Sequence, residues 1–123
     1  MNALNLARNA YASPAAPVRT DRGTEHDAFA KVTHKLRSLN QKSNPTEFVN
    51  ALHDNRQLWT LLAVDVADES NKLPQSLRAQ IFYLAEFTDQ HTSKVLAGKA
   101  DTLPLVDINT VIMAGLRQNG KSI

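Results

Sequence analysis

Apolar side chains recur every three or four residues along most of the chain, and this spacing is typical of α-helices that bury one face. Alternation of apolar and polar residues, which would indicate strands, does not extend over a useful length anywhere in the sequence. Residues 25 to 41 form one predicted amphipathic helix, with Thr24 and Asp27 spaced as a capping pair at its start. The pattern therefore predicts an all-α protein.

A longer apolar stripe follows Asn44 and Pro45, where a capping side chain precedes a proline at the first helical position. Asn55 interrupts this stripe where an apolar residue is expected. Two explanations stay open: Asn55 kinks the helix, or it caps a second helix that starts at Arg56. We expect Trp59 to be a core anchor, since large aromatic side chains dominate core burial. The alternative is a partly exposed docking residue.

The polar stretch "ADESNKLP" ends this segment, and Pro74 marks the first turn of the next predicted helix, which stops at Gly98. A last short helix is predicted from Asp107, a capping residue, to near Gly120. Three polar residues fall within the apolar stripe of the helix before Gly98: Thr88, His91 and Thr92. The core is predicted to centre on Phe29, Leu36, Phe48, Leu52, Trp59, Leu62, Ile81 and Leu84.

The first residues of the chain predict a separate short helix at positions 2 to 11, with Leu4, Ala7 and Tyr11 on one side. Such a short helix is unstable alone and must dock on something. Residues 12 to 23 contain two prolines and a glycine and are predicted to be a linker. With 123 residues, we expect a single domain, a bundle of about five helices with a tethered first helix.

Composition removes several classes of chemistry. The chain has no cysteine, which excludes disulfides, thiol nucleophiles and zinc-thiolate sites. No stretch approaches the roughly 18 apolar residues of a membrane-spanning helix, and the first residues do not resemble an export signal. These features predict a soluble cytoplasmic protein.

Charge is distributed unevenly along the chain. Residues 1 to 42 hold seven Lys and Arg against three acidic residues, and the remainder holds seven against nine. A solvated surface is the simplest explanation, although the asymmetry could steer an acidic partner. Lys31, Lys35 and Lys42 could contact phosphates, but no aromatic residues are interleaved with them for base stacking. Direct nucleic-acid binding is therefore not the favoured function.

Catalytic patterns are missing from the sequence. The four glycines are scattered, so no phosphate-binding loop is present, and no Gly-x-Ser-x-Gly motif occurs. Asp89 and His91 are two residues apart and diverge on a helix, so a metal site would need distant ligands. Those ligands would come from His26, His34 or His53. We expect no enzymatic activity, no cofactor and no metal site.

Several stretches resemble the flagellar biosynthesis regulator family FlaF, and together they cover essentially the whole chain. They are "NAYA" (9–12), "RTDRGTEHDAF" (19–29), "ALHDNRQLWTLLAVDVADESNKLP" (51–74), "LRAQIFYLAEFTDQHTSKVLAG" (77–98) and "LPLVDINTVIMAGL" (103–116). The most specific parts are Asn55-x-x-Leu58-Trp59, Asn71-x-Leu73-Pro74, and Asp107-Ile108-Asn109 followed by Met113-Ala114-Gly115-Leu116.

The resemblance implies a small cytoplasmic helical protein that has no enzymatic activity or cofactor and is needed for flagellin synthesis and export. In this family the protein is viewed as a positive regulator or export chaperone for flagellin, working against or alongside the translation regulator FlbT. The leading hypothesis is a flagellin-binding export chaperone and positive regulator of flagellin synthesis. The alternative is an adaptor that acts on an FlbT-type regulator or directly on flagellin mRNA.

Three large apolar residues lie beside the apolar stripe of the helix that ends at Gly98: Phe82, Tyr83 and Phe87. Apolar residues off a core stripe are often simply accommodated at the surface. The sharper hypothesis is that these three residues join Leu4 and Tyr11 in a groove for a flagellin helix. The tethered first helix could instead cover that groove when it is empty, or swap into a neighbouring copy. The sequence leaves the oligomeric state undetermined.

Overall fold

The computed structural model describes the backbone of residues 21–122 and the side chains of residues 26–115. This part of the chain forms four α-helices and contains no strand. They are α1 (Asp21–Ser38), α2 (Pro45–Ala67), α3 (Gln75–Leu96) and α4 (Leu103–Ser122). The all-α prediction is confirmed. A fifth helix, predicted at residues 2 to 11, lies outside the described residues, as does the predicted linker up to residue 20.

The first two helices start differently from the prediction. Residues 21 to 23 are helical rather than linker, and Thr24 lies inside α1 instead of capping it. At the start of α2 the side chain of Asn44 makes no capping hydrogen bond, although Pro45 occupies the first turn as predicted. α2 then continues through Asn55 to Ala67, so no second helix starts at Arg56.

The last helix begins four residues earlier than predicted, at Leu103. The carboxylate of Asp101, rather than that of Asp107, accepts a hydrogen bond from a first-turn backbone amide, the N–H of Leu103, at 3.1 Å. Asp107 is exposed one turn further on. The longer helix has a physical reason, because it brings Leu105 and Val106 into the core, where they are 0% and 6% exposed.

Contacts between helices define the bundle. Phe29 of α1 meets Trp59 of α2 edge-on, with ring centroids 5.5 Å apart, and further along α1 Leu36 joins Leu52 in a second cluster. These two helices are therefore antiparallel. α2 and α3 are joined by a short connection and pack along their length, and α1 packs against α4, whereas α3 and α4 touch little.

The core consists of two apolar clusters. The first contains Phe29, Trp59, Leu62, Val66, Ile81, Ala85 and Ile112, and the second contains Val32, Leu36, Phe48, Ala51, Leu52, Val95, Leu105 and Val106. Seven of the eight predicted core residues are buried, and Leu84 is only partly buried. Trp59 is 1% exposed, so it is a core anchor and not a docking residue.

None of the helices in the described part of the chain has the length and apolar character needed to cross a membrane.

Candidate functional site

An open groove with a volume of about 460 Å³ runs along the surface between α2 and α3. We call it the α2–α3 groove. Its lining residues are Thr60, Ala63, Val64 and Ala67 from α2, and Phe82, Ala85, Glu86, Asp89 and Gln90 from α3. No segment of the described chain fills it.

Small side chains form part of the groove lining, and larger apolar side chains lie beside them. Ala63 is half-buried and Ala85 is 8% exposed, and because neither side chain extends beyond its Cβ, a neighbouring helix can approach α2 and α3 closely there. Val64 is 37% exposed and Phe82 is 43% exposed, which leaves apolar surface of both side chains in contact with water. This combination suits a helical ligand, because small residues allow close approach while the flanking side chains supply apolar contact area.

Polar contacts hold α2 and α3 together beside the groove. The guanidinium of Arg56 pairs with the Asp89 carboxylate, with Nε and Oδ1 2.9 Å apart. Its Nη2 also donates to the carbonyl oxygen of Asp89 and to the hydroxyl of Ser93, both at 2.7 Å. At the other end, Arg78 of α3 donates to the carbonyl oxygen of Val66 at 2.8 Å. These contacts fix the spacing of the two helices and preorganise the groove.

A cluster of buried polar side chains lies in the interior, and it connects three helices. The indole Nε1–H of Trp59 donates to Asn109 Oδ1 at 2.8 Å. Asn109 Nδ2 donates in turn to Asn55 Oδ1 at 2.7 Å and to Thr33 Oγ1 at 3.1 Å. The hydroxyl of Thr33 donates to the carbonyl oxygen of Phe29 at 2.6 Å. Asn109 of α4 therefore joins α1 and α2, and Asn55 replaces an apolar residue because it is part of this cluster.

A comparison with known protein families identifies the family of this chain. Residues 7–116 match the family model described as Flagellar protein FlaF. The chain belongs to the FlaF family. The match spans the whole α2–α3 groove and the buried polar cluster, so both features lie within the family domain. The sequence has no significant match among curated proteins, and the chain has none among solved structures.

Membership of the FlaF family establishes a flagellar protein.

The residues that the sequence suggested for partner binding divide into three groups. Phe82 lines the α2–α3 groove. Tyr83 and Phe87 are exposed, at 67% and 36%, but neither lines the groove. The reason is helical geometry, since each residue turns about 100° from the one before it. Leu4 and Tyr11 lie outside the described residues.

Phe87 has a local partner of its own. Its ring stacks on the imidazole of His91, with centroids 5.5 Å apart and planes 14° from parallel. His91 Nε2–H donates to the carbonyl oxygen of Asp101 at 2.8 Å. This pair therefore anchors the connection between α3 and α4, which accounts for a polar residue in that part of the helix.

Sequence reasoning missed the contribution of α2 to the groove. Ala63 and Ala67 lie four residues apart on one face of α2, with Val64 beside them. The available signal was the apolar character of this segment over more than one face, which a single buried stripe does not require. Recognising a groove also required knowing that this face lies next to Phe82 of α3.

A second groove, of about 470 Å³, lies between α1 and α2. Its lining combines two lysines, Lys31 and Lys35, with two carboxylates, Asp27 and Asp54. Because the charges are mixed, this groove does not present the uniformly positive surface that phosphate backbones require.

Among the described residues, no group of three or more His, Asp or Glu side chains is arranged to hold a metal ion.

Proposed function

We propose that this FlaF-family protein is a cytoplasmic, non-enzymatic chaperone that binds flagellin for export and acts as a positive regulator of flagellin synthesis. The observation that carries the proposal is the α2–α3 groove, which is largely apolar, includes small residues in its lining and is unfilled by the described chain. Flagellin is the partner that the FlaF family implies, and regulation of its synthesis rests on the family alone.

The groove suits a helical segment of flagellin because a third helix can pack in the groove between two helices that already contact each other. Helices pack with their axes about 8–10 Å apart, and a guest helix contacts such a groove through apolar residues at i, i+3, i+4 and i+7. Glu86 on the α3 side favours a guest with a basic residue beside its apolar stripe, because the other carboxylate of the lining, that of Asp89, pairs with Arg56. The expected ligand is therefore an amphipathic segment with a cationic edge.

The energetics suit a chaperone that must release its cargo. Burying apolar surface contributes about 25 cal/mol per Å², so partly exposed anchors such as Phe82 and Val64 favour binding by on the order of a few kcal/mol in total. A flagellin segment that becomes ordered on binding loses conformational entropy, which offsets part of this gain. We therefore expect moderate affinity and ready exchange.

Calorimetric titration of peptides from both flagellin termini tests the proposal. Phe82→Ser and Val64→Ser each remove one apolar wall of the groove, and we expect about ten- to a hundredfold weaker binding of the terminal peptide that binds the unaltered protein. Val111→Ser is the matched control, because Val111 is 67% exposed on α4 and lies outside the groove. Tyr83→Ser tests the adjacent position on α3, where we expect little change.

Helical content measured by circular dichroism should be the same in all four variants, because each substituted side chain is exposed. Equal affinities across the four variants and the unaltered protein would remove the groove from the flagellin site.

The alternative function, an adaptor for an FlbT-type regulator or for flagellin mRNA, is tested with the same variants. Binding to flagellin mRNA that weakens steeply with salt, together with no peptide binding, would favour direct RNA recognition. Binding to a purified FlbT-type protein that is lost in Phe82→Ser would assign the groove to that regulator instead. Because the charges of the α1–α2 groove are mixed, direct binding of RNA is less supported than binding of an FlbT-type regulator.

A further inference from the structure

We propose that the chain regulates its own groove: residues 1–12 bind the α2–α3 groove when flagellin is absent and compete with flagellin for it. The competition with flagellin rests on the proposed function, whereas the contact between residues 1–12 and the groove does not require flagellin. Three observations carry the proposal: the charge of the groove, the sequence of the first residues, and the position of Asp21 in α1.

The charge of the groove is the first observation. Its lining includes two carboxylates, Glu86 and Asp89, and no Lys or Arg. Arg56 pairs with Asp89, which leaves Glu86 as the acidic group beside the apolar surface. A ligand segment with an apolar stripe and one adjacent cation would complement this surface.

The first twenty residues have the complementary sequence. They contain two arginines, Arg8 and Arg19, and no Asp or Glu. Leu4, Ala7 and Tyr11 are spaced i, i+3 and i+7, the spacing with which a guest helix contacts a groove. Arg8 is four residues after Leu4, so the same helical spacing places the cation beside the apolar stripe.

The position of Asp21 in α1 brings this segment within reach. α1 and α2 are antiparallel, so Asp21 is near the level of Ala67, which lines the groove where α2 ends. α1 and α3 pack on different sides of α2, so a segment in the groove would lie up to about two helix spacings, roughly 16–20 Å, from α1. Residues 13–20 can span up to roughly 26–29 Å when extended. The tether is therefore long enough for the segment to bind its own groove.

Competition follows from the tether. A segment joined by a short linker acts at an effective concentration in the millimolar range, so even weak contacts give substantial occupancy. A ligand that binds only the uncovered state loses apparent affinity in proportion to the uncovered fraction. Only a segment that binds the groove more favourably than residues 1–12 then displaces them.

Crosslinking tests the contact without flagellin. The chain has no cysteine, so paired cysteines can be introduced without background. In Ala7→Cys/Val64→Cys, a short bismaleimide should join the two positions within one molecule. In the control Ala7→Cys/Val111→Cys, it should not, because Val111 lies on α4 outside the groove. Equal crosslinking in both pairs, or crosslinking only between molecules, would overturn the proposal.

Peptide titration of full-length variants tests the competition. Leu4→Ser/Tyr11→Ser should bind the flagellin peptide about tenfold more tightly if about nine molecules in ten are otherwise covered. Leu6→Ser is the matched control, because position 6 is turned about 200° from position 4 on a helix, and its affinity should not change. Unchanged affinity in the double variant would overturn the competition.

Weaker binding by Leu4→Ser/Tyr11→Ser would also overturn it, because these residues would then form part of the flagellin site. If the unaltered protein and the double variant both fail to bind flagellin peptides, the proposed function fails, and the crosslinking result alone decides whether the first residues bind the groove.

Discussion

Asn109 is the residue on which most of the buried polar interactions depend. It accepts a hydrogen bond from Trp59 and donates to Asn55 and Thr33, and all four side chains are at most 1% exposed. Hydrogen bonds between buried groups add modestly to stability when complete, but a buried group left without a partner costs about 1–3 kcal/mol. The cluster therefore favours the single arrangement of α1, α2 and α4 in which every one of these bonds forms.

Replacing Asn109 with alanine tests this role. Asn109→Ala leaves the indole N–H of Trp59 and the amide oxygen of Asn55 without these partners, so we expect a loss of about 3 kcal/mol or more in the free energy of unfolding. Val111→Ala on the same helix should change it by less than about 0.5 kcal/mol, because Val111 is exposed. Urea denaturation followed by Trp59 fluorescence measures both. Equal losses in the two variants would contradict the role assigned to Asn109.

Which side chains are buried could be predicted for apolar residues but not for polar ones. The apolar stripe correctly placed Phe29, Leu52 and Trp59 in the core. Asn55 appeared only as an interruption, because its partner Asn109 is 54 residues away in sequence. Periodicity describes one helix at a time and contains no information about such distant pairs.

The C-terminal end of α3 shows how a single glycine can terminate a helix. Gly98 has φ 74°, a left-handed conformation that strains side-chain-bearing residues. Its N–H donates to the carbonyl oxygen of Val95 at 3.0 Å, and the N–H of Lys99 donates to that of Lys94 at 2.8 Å. These two bonds form a Schellman motif and satisfy carbonyl groups at the end of the helix.

Two glycine substitutions should change stability in opposite directions. Gly98→Ala should lower the free energy of unfolding by about 1 kcal/mol, because alanine is strained at this φ. Gly115→Ala should raise it by about 0.5–1 kcal/mol, because Gly115 lies within α4 and an added Cβ meets nothing within 4 Å. Thermal unfolding of both variants measures the difference. A stabilising Gly98→Ala would show that the left-handed conformation is wrong.

At the element scale, the sequence predicted where helices exist better than where they begin. Proline and glycine marked the start of α2 and the end of α3 correctly, because each has a backbone restriction or freedom that acts locally. The predicted start of α4 was wrong because Asp107 has the side chain of a capping residue but lies in the second turn of the helix. Burial of Leu105, a tertiary effect, extends the helix further back than the capping pattern suggests.

At the scale of the whole molecule, the α2–α3 groove is an apolar groove on the outside of the α2–α3 pair that no segment of the described residues fills. Phe82 was predicted as a surface residue with a binding role, and the structure places it in this groove. The alanines and Val64 on the opposite wall could not be assigned to the groove from the sequence, because the sequence does not show which helices pack side by side. Membership of the FlaF family supports a flagellar role, and the α2–α3 groove is where we propose that the partner binds.

Mapping a flagellin peptide onto the protein by nuclear magnetic resonance tests the central claim most directly. A peptide from the flagellin terminus that binds should shift the backbone amide signals of groove residues, above all Ala63, Val64, Ala67, Phe82 and Glu86. Signals from Lys35 in the α1–α2 groove and from Val111 on α4 should remain nearly unchanged. The largest shifts along the α1–α2 groove, or no shifts at all with either terminal peptide, would contradict the assignment of the α2–α3 groove as the flagellin-binding site.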